Sequence, residues 1–196
     1  MEQRDSGLQT LFDRAETAVL ASQNRDGEAH RAARLVFDRL RQSVGRPSGA
    51  EPAQLPVCAH LPAALAACPP SRKAVAGALG ALLPRLSWGR RKTADPSDTA
   101  FWHGHANTLL AGPGGLEERD DLMVGATVIA PGVLYPDHTH PPEEVYLSLT
   151  AGEWWNARMD WTDPGPEGLI YNPPGILHAM RAAPGQPFLA LWFLPF

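Results

Sequence analysis

Cysteine is scarce in this chain: Cys58 and Cys68 are the two among 196 residues. Two thiols build no disulfide framework, and both are expected to act as small buried hydrophobes in a reducing compartment. Long hydrophobic runs are missing too. The most apolar stretch, 74–83 (AVAGALGALL), carries two glycines and stops at Pro84, well short of the roughly 18 residues a membrane span needs. The start, MEQRDSGLQT, has no apolar leader core. These features lead to the expectation of a cytoplasmic protein with no membrane partner. Positive charge is rare in the second half, where residues 101–196 hold three arginines (Arg119, Arg158, Arg181) against 11 acids. Residues 1–100 hold 14 basic and 10 acidic residues, and the formal net charge is −4. No nucleic-acid partner is expected from that balance.

What is abundant is proline (20) and glycine (18), unevenly placed. The first half reads as helices. Leu8, Leu11, Phe12, Ala15 and Val19 recur at helical spacing, and 28–41 repeats the pattern through Ala32, Leu35, Val36 and Leu40. A turn-rich connection (43–56) and two shorter helical pieces follow, 62–67 and 71–83, the second with Ser71 as its expected cap. Arg90, Arg91 and Lys92 are expected on a solvated loop. His30 and His60 are expected at the surface or as caps. From about Phe101 the pattern changes to short segments, 122–130, 144–149, 153–158, 168–171 and 188–193, separated by Pro/Gly turns. That spacing predicts an antiparallel sandwich or barrel. The expected organisation is a helical portion over 1–100 packed on a β-barrel over 101–196, as one structural unit.

Chemistry-bearing residues concentrate in 135–146 (YPDHTHPPEEVY) and 172–178 (NPPGILH). Residues two apart on a strand share a face, which puts His138 with His140 and Glu144 with Tyr146. Pro141-Pro142 implies a bend between the two pairs. His178 follows a Pro-Pro-Gly turn that can return its strand against the first. Neutral imidazoles with one carboxylate suit a divalent first-row metal, and the donor set leaves Fe, Zn, Mn, Co and Ni open. A second H-x-H, His103-Gly104-His105, lacks a nearby glutamate and is expected on an edge strand or at a barrel mouth.

Gly132, His138, His140 and Glu144, then Pro173, Gly175 and His178, resemble the two metal-binding motifs of the cupin superfamily. With Leu134-Tyr135-Pro136, Glu143, Tyr146, Gly152-Glu153-Trp154-Trp155 and Ala179-Met180-Arg181, the pattern is similar to the single-domain cupin dimethylsulfoniopropionate (DMSP) lyases of marine bacteria. The resemblance implies a mainly β fold, a cupin jelly-roll barrel capped by N-terminal α-helices. It also implies a bound divalent ion and cleavage of DMSP to dimethyl sulfide and acrylate. Carried onto matching positions, His140, Glu144 and His178 become the ligands, with His138 nearby or also ligating.

The residue chemistry is consistent with that activity. Removing a weakly acidic Cα proton puts charge on the substrate carboxylate, which a divalent ion stabilises. A tyrosine serves as base near neutrality only where a cation favours its phenolate. Tyr146, sharing the parity of Glu144, is the first candidate and Tyr135 the second. The sulfonium donates no N–H hydrogen bond, so aromatic faces are expected to hold it, with Trp155, Trp192, Tyr171 and Phe193 as candidates. Two alternatives use the same residues: a cupin dioxygenase or isomerase, and a non-catalytic metal- or ligand-binding cupin. Either a monomer or a homodimer is compatible with the sequence.

Overall fold

A computed structural model describes residues 3–23 and 27–196. Helix α1 (Ser6–Ala21) is capped by Asp5, whose side chain accepts from the Leu8 N–H. It packs on α2 (Glu28–Gln42) and on α4 (Lys73–Leu82), and α3 (Leu61–Ala67) packs on α4. The helical periods of the sequence are thus realised, with local corrections. Ser71 does not cap α4. A 3₁₀ turn over Pro70–Arg72 precedes that helix, and the Ser71 hydroxyl instead donates to Pro166 O. His30 is buried rather than at the surface, because it shares the face of Ala33, Phe37 and Leu40. Its Nε2 lies 2.8 Å from Val19 O, tying α2 to the end of α1.

Eleven short strands occur among the described residues. The larger sheet runs in the order β1 (Arg46–Pro47), β3 (Glu117–Glu118), β2 (His105–Ala111), β4 (Leu122–Ile129), β11 (Phe188–Pro195), β6 (Glu144–Ser148) and β9 (Leu169–Asn172). The smaller is β5 (Leu134–His138), β10 (His178–Arg181), β7 (Glu153–Asn156) and β8 (Met159–Thr162). Helix α5 (Thr99–Gly104) leads into β2. His103 and Gly104 therefore end a helix, and only His105 enters a strand.

Both faces of the larger sheet are covered, and alternation sorts its side chains. Val124, Ala126, Val128, Val145, Leu147, Leu189, Leu191 and Phe193 face the helices in one continuous core. Ile129, Tyr146, Ile170, Phe188 and Ala190 face the smaller sheet, meeting Tyr135, Trp154 and Met180 there. Burying each such Leu or Phe contributes roughly 1.5–3 kcal/mol. This is the expected mainly β architecture, two sheets closing on one another with helices outside.

A buried ionic cluster joins the helical portion to β3. Arg4 Nε donates to Glu117 at 2.6 Å, and Arg119 reaches the same carboxylate at 3.1 Å. Burial alone would raise the Glu117 carboxyl, but hydrogen bonds from Arg4, the Gly45 N–H and Arg119 hold it below the usual range. Glu117→Gln is expected to lower stability by about 3 kcal/mol or more, leaving the buried Arg4 guanidinium without a counter-charge while Arg119 keeps its pairing with Asp121. Because the folded carboxyl is depressed, its stabilisation is present above the ordinary carboxylate range and is lost as pH falls through the folded value. Urea unfolding of wild type and variant between pH 3 and 7 would measure both effects; equal stability at pH 7 would contradict them.

Candidate metal centre

Strand register assembles the site from distant parts of the chain. His178 opens β10 opposite His138 of β5 and Asn156 of β7. Glu144 opens β6 opposite Asn172 of β9. His140 lies two residues beyond the end of β5, in the loop that Pro141 and Pro142 keep out of the ladder, so it does not share a strand with His138. The Gly175 N–H donates to His140 O at 3.0 Å, fastening that loop to the turn before β10. Gly175 has φ of +69°, a conformation that favours glycine.

Each histidine is oriented by a carbonyl two residues before or after it. Nδ1 of His138 lies 3.0 Å from Pro136 O, that of His140 2.9 Å from Pro142 O, and that of His178 2.9 Å from Ile176 O. A carbonyl only accepts, so each Nδ1 carries the hydrogen and each neutral ring keeps its lone pair on Nε2. Candidate donor atoms of His140, Glu144 and His178 lie within 4.8 Å of one another. Glu144 Oε2 is 3.2 Å from His140 Nε2 and 3.3 Å from His178 Nε2. The His178 nitrogen is fully buried and makes no hydrogen bond. Donor atoms converging at these distances suit a shared cation, and this donor set fits a divalent metal. Behind it, Asn172 Nδ2 donates to Glu144 at 3.3 Å and Asn156 Nδ2 donates to Asn172 Oδ1 at 3.0 Å.

His138 stands beside this trio rather than in it. Its ring centroid is 4.0 Å from that of His178 and 6.3 Å from that of His140. Burial, with the neighbouring His178, pushes its imidazole down to about 3, so it is neutral. Burial also raises the Glu144 carboxyl, yet the His140 and His178 imidazoles beside it hold it well below the usual range. For His140, burial lowers and Glu144 raises; the net shift is upward.

The site opens on a cavity of about 200 Å³, walled by Tyr135, Tyr146, Asn107, Met123, Thr127, Trp192 and Leu194 besides His138, His140 and Glu144. Tyr135 and His138 are three residues apart yet both face inward, because a register shift between His178 and Met180 re-phases β5 against β10. Donor chemistry orients the far wall. The Trp192 indole N–H donates to Thr127 Oγ1 at 3.0 Å, so the Thr127 hydroxyl donates on to Asn107 Oδ1 at 2.7 Å. That turns the Asn107 N–H toward Tyr135 Oη at 3.1 Å, leaving the Tyr135 O–H to point elsewhere. Burial pushes Tyr135 up to about 12 against the Asn107 bond. Burial and the Glu144 charge push Tyr146 well above the ordinary value. Beneath the Tyr135 ring, His105 stacks on Phe101 at 3.7 Å, with Nδ1 on Phe101 O and Nε2 accepting from the Arg91 N–H. The second H-x-H thus supplies a structural ring under the cavity wall.

Of the four aromatics expected at the substrate, Trp192 lines the cavity. The adjacent Phe193 has opposite parity and lies in the helix-side core, 5.3 Å from Phe37. Tyr171 also lies on the helix side, where its hydroxyl donates to Glu143 at 2.7 Å; Glu143 in turn pairs with Arg31 of α2. Trp155 alternates with the inward Trp154 and is half-buried outside the cavity. The basic cluster divides likewise. Lys92 is exposed, but Arg90 and Arg91 are half-buried, and Arg91 lines the cavity. Asn107, Thr127 and Met123 went unread in the sequence, because an isolated polar or thioether residue on a strand has no motif spacing to mark it.

A family model of dimethylsulfoniopropionate lyases matches residues 28–190. The chain belongs to that family. Among its relatives, DddL of Cereibacter sphaeroides, named for dimethylsulfoniopropionate lyase, is 34% identical over 138 residues, covering 68% of this chain and 56% of that protein. Dimethylsulfoniopropionate lyase DddQ of Ruegeria pomeroyi is 36% identical over 111 residues, covering 55% of this chain and 51% of that protein. The chain therefore spans about half the length of these curated relatives. The crystal structure of Ruegeria pomeroyi DddQ superposes with a TM-score of 0.76 at 24% identity, over 98% of this chain and 93% of that one. The superposition shows that the two chains share a fold, helices included. No helix among the described residues is long and apolar enough to cross a membrane.

Proposed function

We propose that this family member is a metal-dependent carbon–sulfur lyase that cleaves dimethylsulfoniopropionate to dimethyl sulfide and acrylate. The observation carrying this reading is the convergence of His140, Glu144 and His178 on one point beside two buried tyrosines, Tyr135 and Tyr146. A divalent ion held there would supply Lewis acidity to the substrate carboxylate and a positive charge beside the Tyr146 phenol. Tyr146, having given its phenol proton to solvent, takes the Cα proton as a phenolate. The C–H electron pair becomes the Cα–Cβ double bond, the Cβ–S bond breaks, and its pair leaves on sulfur as neutral dimethyl sulfide. What supports Tyr146 as base is its place two residues from Glu144 on the inward face of β6, beside the point where the ion would sit; burial and the Glu144 charge alone keep the phenol protonated, so the ion is what would favour its phenolate. Tyr135, kept protonated by burial and filled at its oxygen by Asn107, donates its O–H to the substrate carboxylate. The Trp192 face and Met123 offer the sulfonium a polarisable wall without competing hydrogen bonds.

Purified protein loaded in turn with Fe(II), Zn, Mn, Co or Ni is expected to release dimethyl sulfide from dimethylsulfoniopropionate, read by headspace gas chromatography. No release above a His178→Ala control with any of these ions would overturn the reading. Oxygen uptake with Fe(II) would favour a dioxygenase instead. Asn107→Leu, which removes the N–H held to Tyr135, is expected to raise KM about tenfold. Steady-state kinetics on the same gas signal would check this, and an unchanged KM would remove Tyr135 from substrate binding.

A further inference from the structure

Arg91 is the cation of the cavity wall, and its setting is specific. Gly89 and Asn107 exchange backbone hydrogen bonds at 2.9 and 2.8 Å, so the segment from Gly89 adds alongside β2. Two residues on, the Arg91 N–H donates to His105 Nε2 at 3.0 Å, which pins the backbone at Arg91. Alternation then separates the two arginines. Arg90 turns away: its Nε donates to Trp102 O at 2.6 Å, and its guanidinium lies 4.5 Å over the Trp102 ring. Arg91 takes the side of Asn107 and lines the cavity. Among the described residues its guanidinium has no hydrogen bond and no ion pair, although every other buried or half-buried arginine mentioned above has acceptors. Its charge reaches Tyr135, His138, His140 and Tyr146 across the cavity. Glu144, the one carboxylate lining the same cavity, is turned to the two histidines instead.

We infer that Arg91 is a specificity-determining residue that binds the carboxylate of the substrate. A half-buried arginine that lines a small cavity and has no acceptor of its own among the described residues is suited to recognise a carboxylate in two hydrogen bonds. The same charge repels a sulfonium, so it also sets the polarity of binding. The carboxylate end lies toward Arg91 and Tyr135, and the cationic end toward Trp192 and Leu194. The assignment rests on the lyase reading for the identity of the substrate, but a carboxylate subsite is testable without turnover.

Titration calorimetry of metal-loaded protein with propionate, a carboxylate that lacks the sulfonium, provides that test. R91Q is expected to weaken propionate binding on the order of 10- to 100-fold, with R91K restoring part of it. Metal content equal to wild type would show that the centre is intact, since the pinning contact of Arg91 is made by its backbone. KM for dimethylsulfoniopropionate should rise with the propionate constant, while binding of ethyldimethylsulfonium, which has no carboxylate, stays equal or tightens. Equal propionate affinity in wild type and R91Q, with metal bound in both, would overturn the inference even if dimethyl sulfide is released. Arg91-dependent propionate binding in a protein that releases no dimethyl sulfide would support the subsite and overturn the lyase reading.

Discussion

Glu144→Ala and His178→Ala are each expected to reduce tightly bound divalent metal from about one ion per chain to near none, and dimethyl sulfide release by about a thousandfold or more. Three candidate ligands meet, so removing one leaves two, too few to hold a divalent ion firmly. Glu144 has the larger effect because it supplies the anionic donor and is the contact shared by both imidazoles. His138→Ala is expected to keep most of the metal, since that ring flanks His178 and lies outside the convergent trio. Metal analysis after gel filtration separates these outcomes. If His138→Ala loses metal as completely as His178→Ala, the ligand set has four members. If neither Glu144→Ala nor His178→Ala loses metal, the centre lies elsewhere.

Tyr146→Phe should retain the metal and lose about 10²- to 10⁴-fold in kcat, the span associated with a positioned proton acceptor. Its ring is buried among Trp154 and the inner face of β11, so removing one oxygen leaves the packing in place. Tyr135→Phe should act mainly on KM, through the lost O–H to the substrate carboxylate, and carry a smaller loss in kcat. Comparing kcat and KM for the two variants at matched metal content decides the assignment. A kcat collapse in Tyr135→Phe with Tyr146→Phe near wild type would exchange the two roles. Full activity in both would remove tyrosine as the base.

Much of the site was legible because metal binding constrains spacing. His140, Glu144 and His178 stand in short motifs beside Pro-Pro turns, and the structure brings them to one point. The substrate wall was less legible. Trp192 and Phe193 were both candidates, although consecutive strand residues point to opposite faces. Pairing Trp192 with Tyr146 decides which one faces inward. The same parity sends Tyr171 to the helices, since it pairs with Val145 while Asn172 pairs with Glu144. Arg91 was read with its neighbours as solvated charge, and nothing in the run RRK distinguishes one arginine from the next. The difference comes from a bridge to β2, a contact between segments 18 residues apart in sequence, Gly89 and Asn107.

The amino-acid sequence alone therefore determined the class of element in each half, the candidate donor residues of the proposed centre and the membership of this chain in its family. Those follow from local periodicity, turn residues and motif spacing, which are properties of neighbours along the chain. Tertiary structure decided which side chains share the cavity: one tryptophan of the candidate aromatics, two tyrosines from different sheets, one of them re-phased by a register shift, and one arginine of a basic run. The scarcity of positive charge in the second half takes its meaning there. That half supplies the carboxylate and imidazoles proposed to hold a cation, while the arginine lining the same cavity comes from the first half, across a β-bridge that sequence neighbours do not encode.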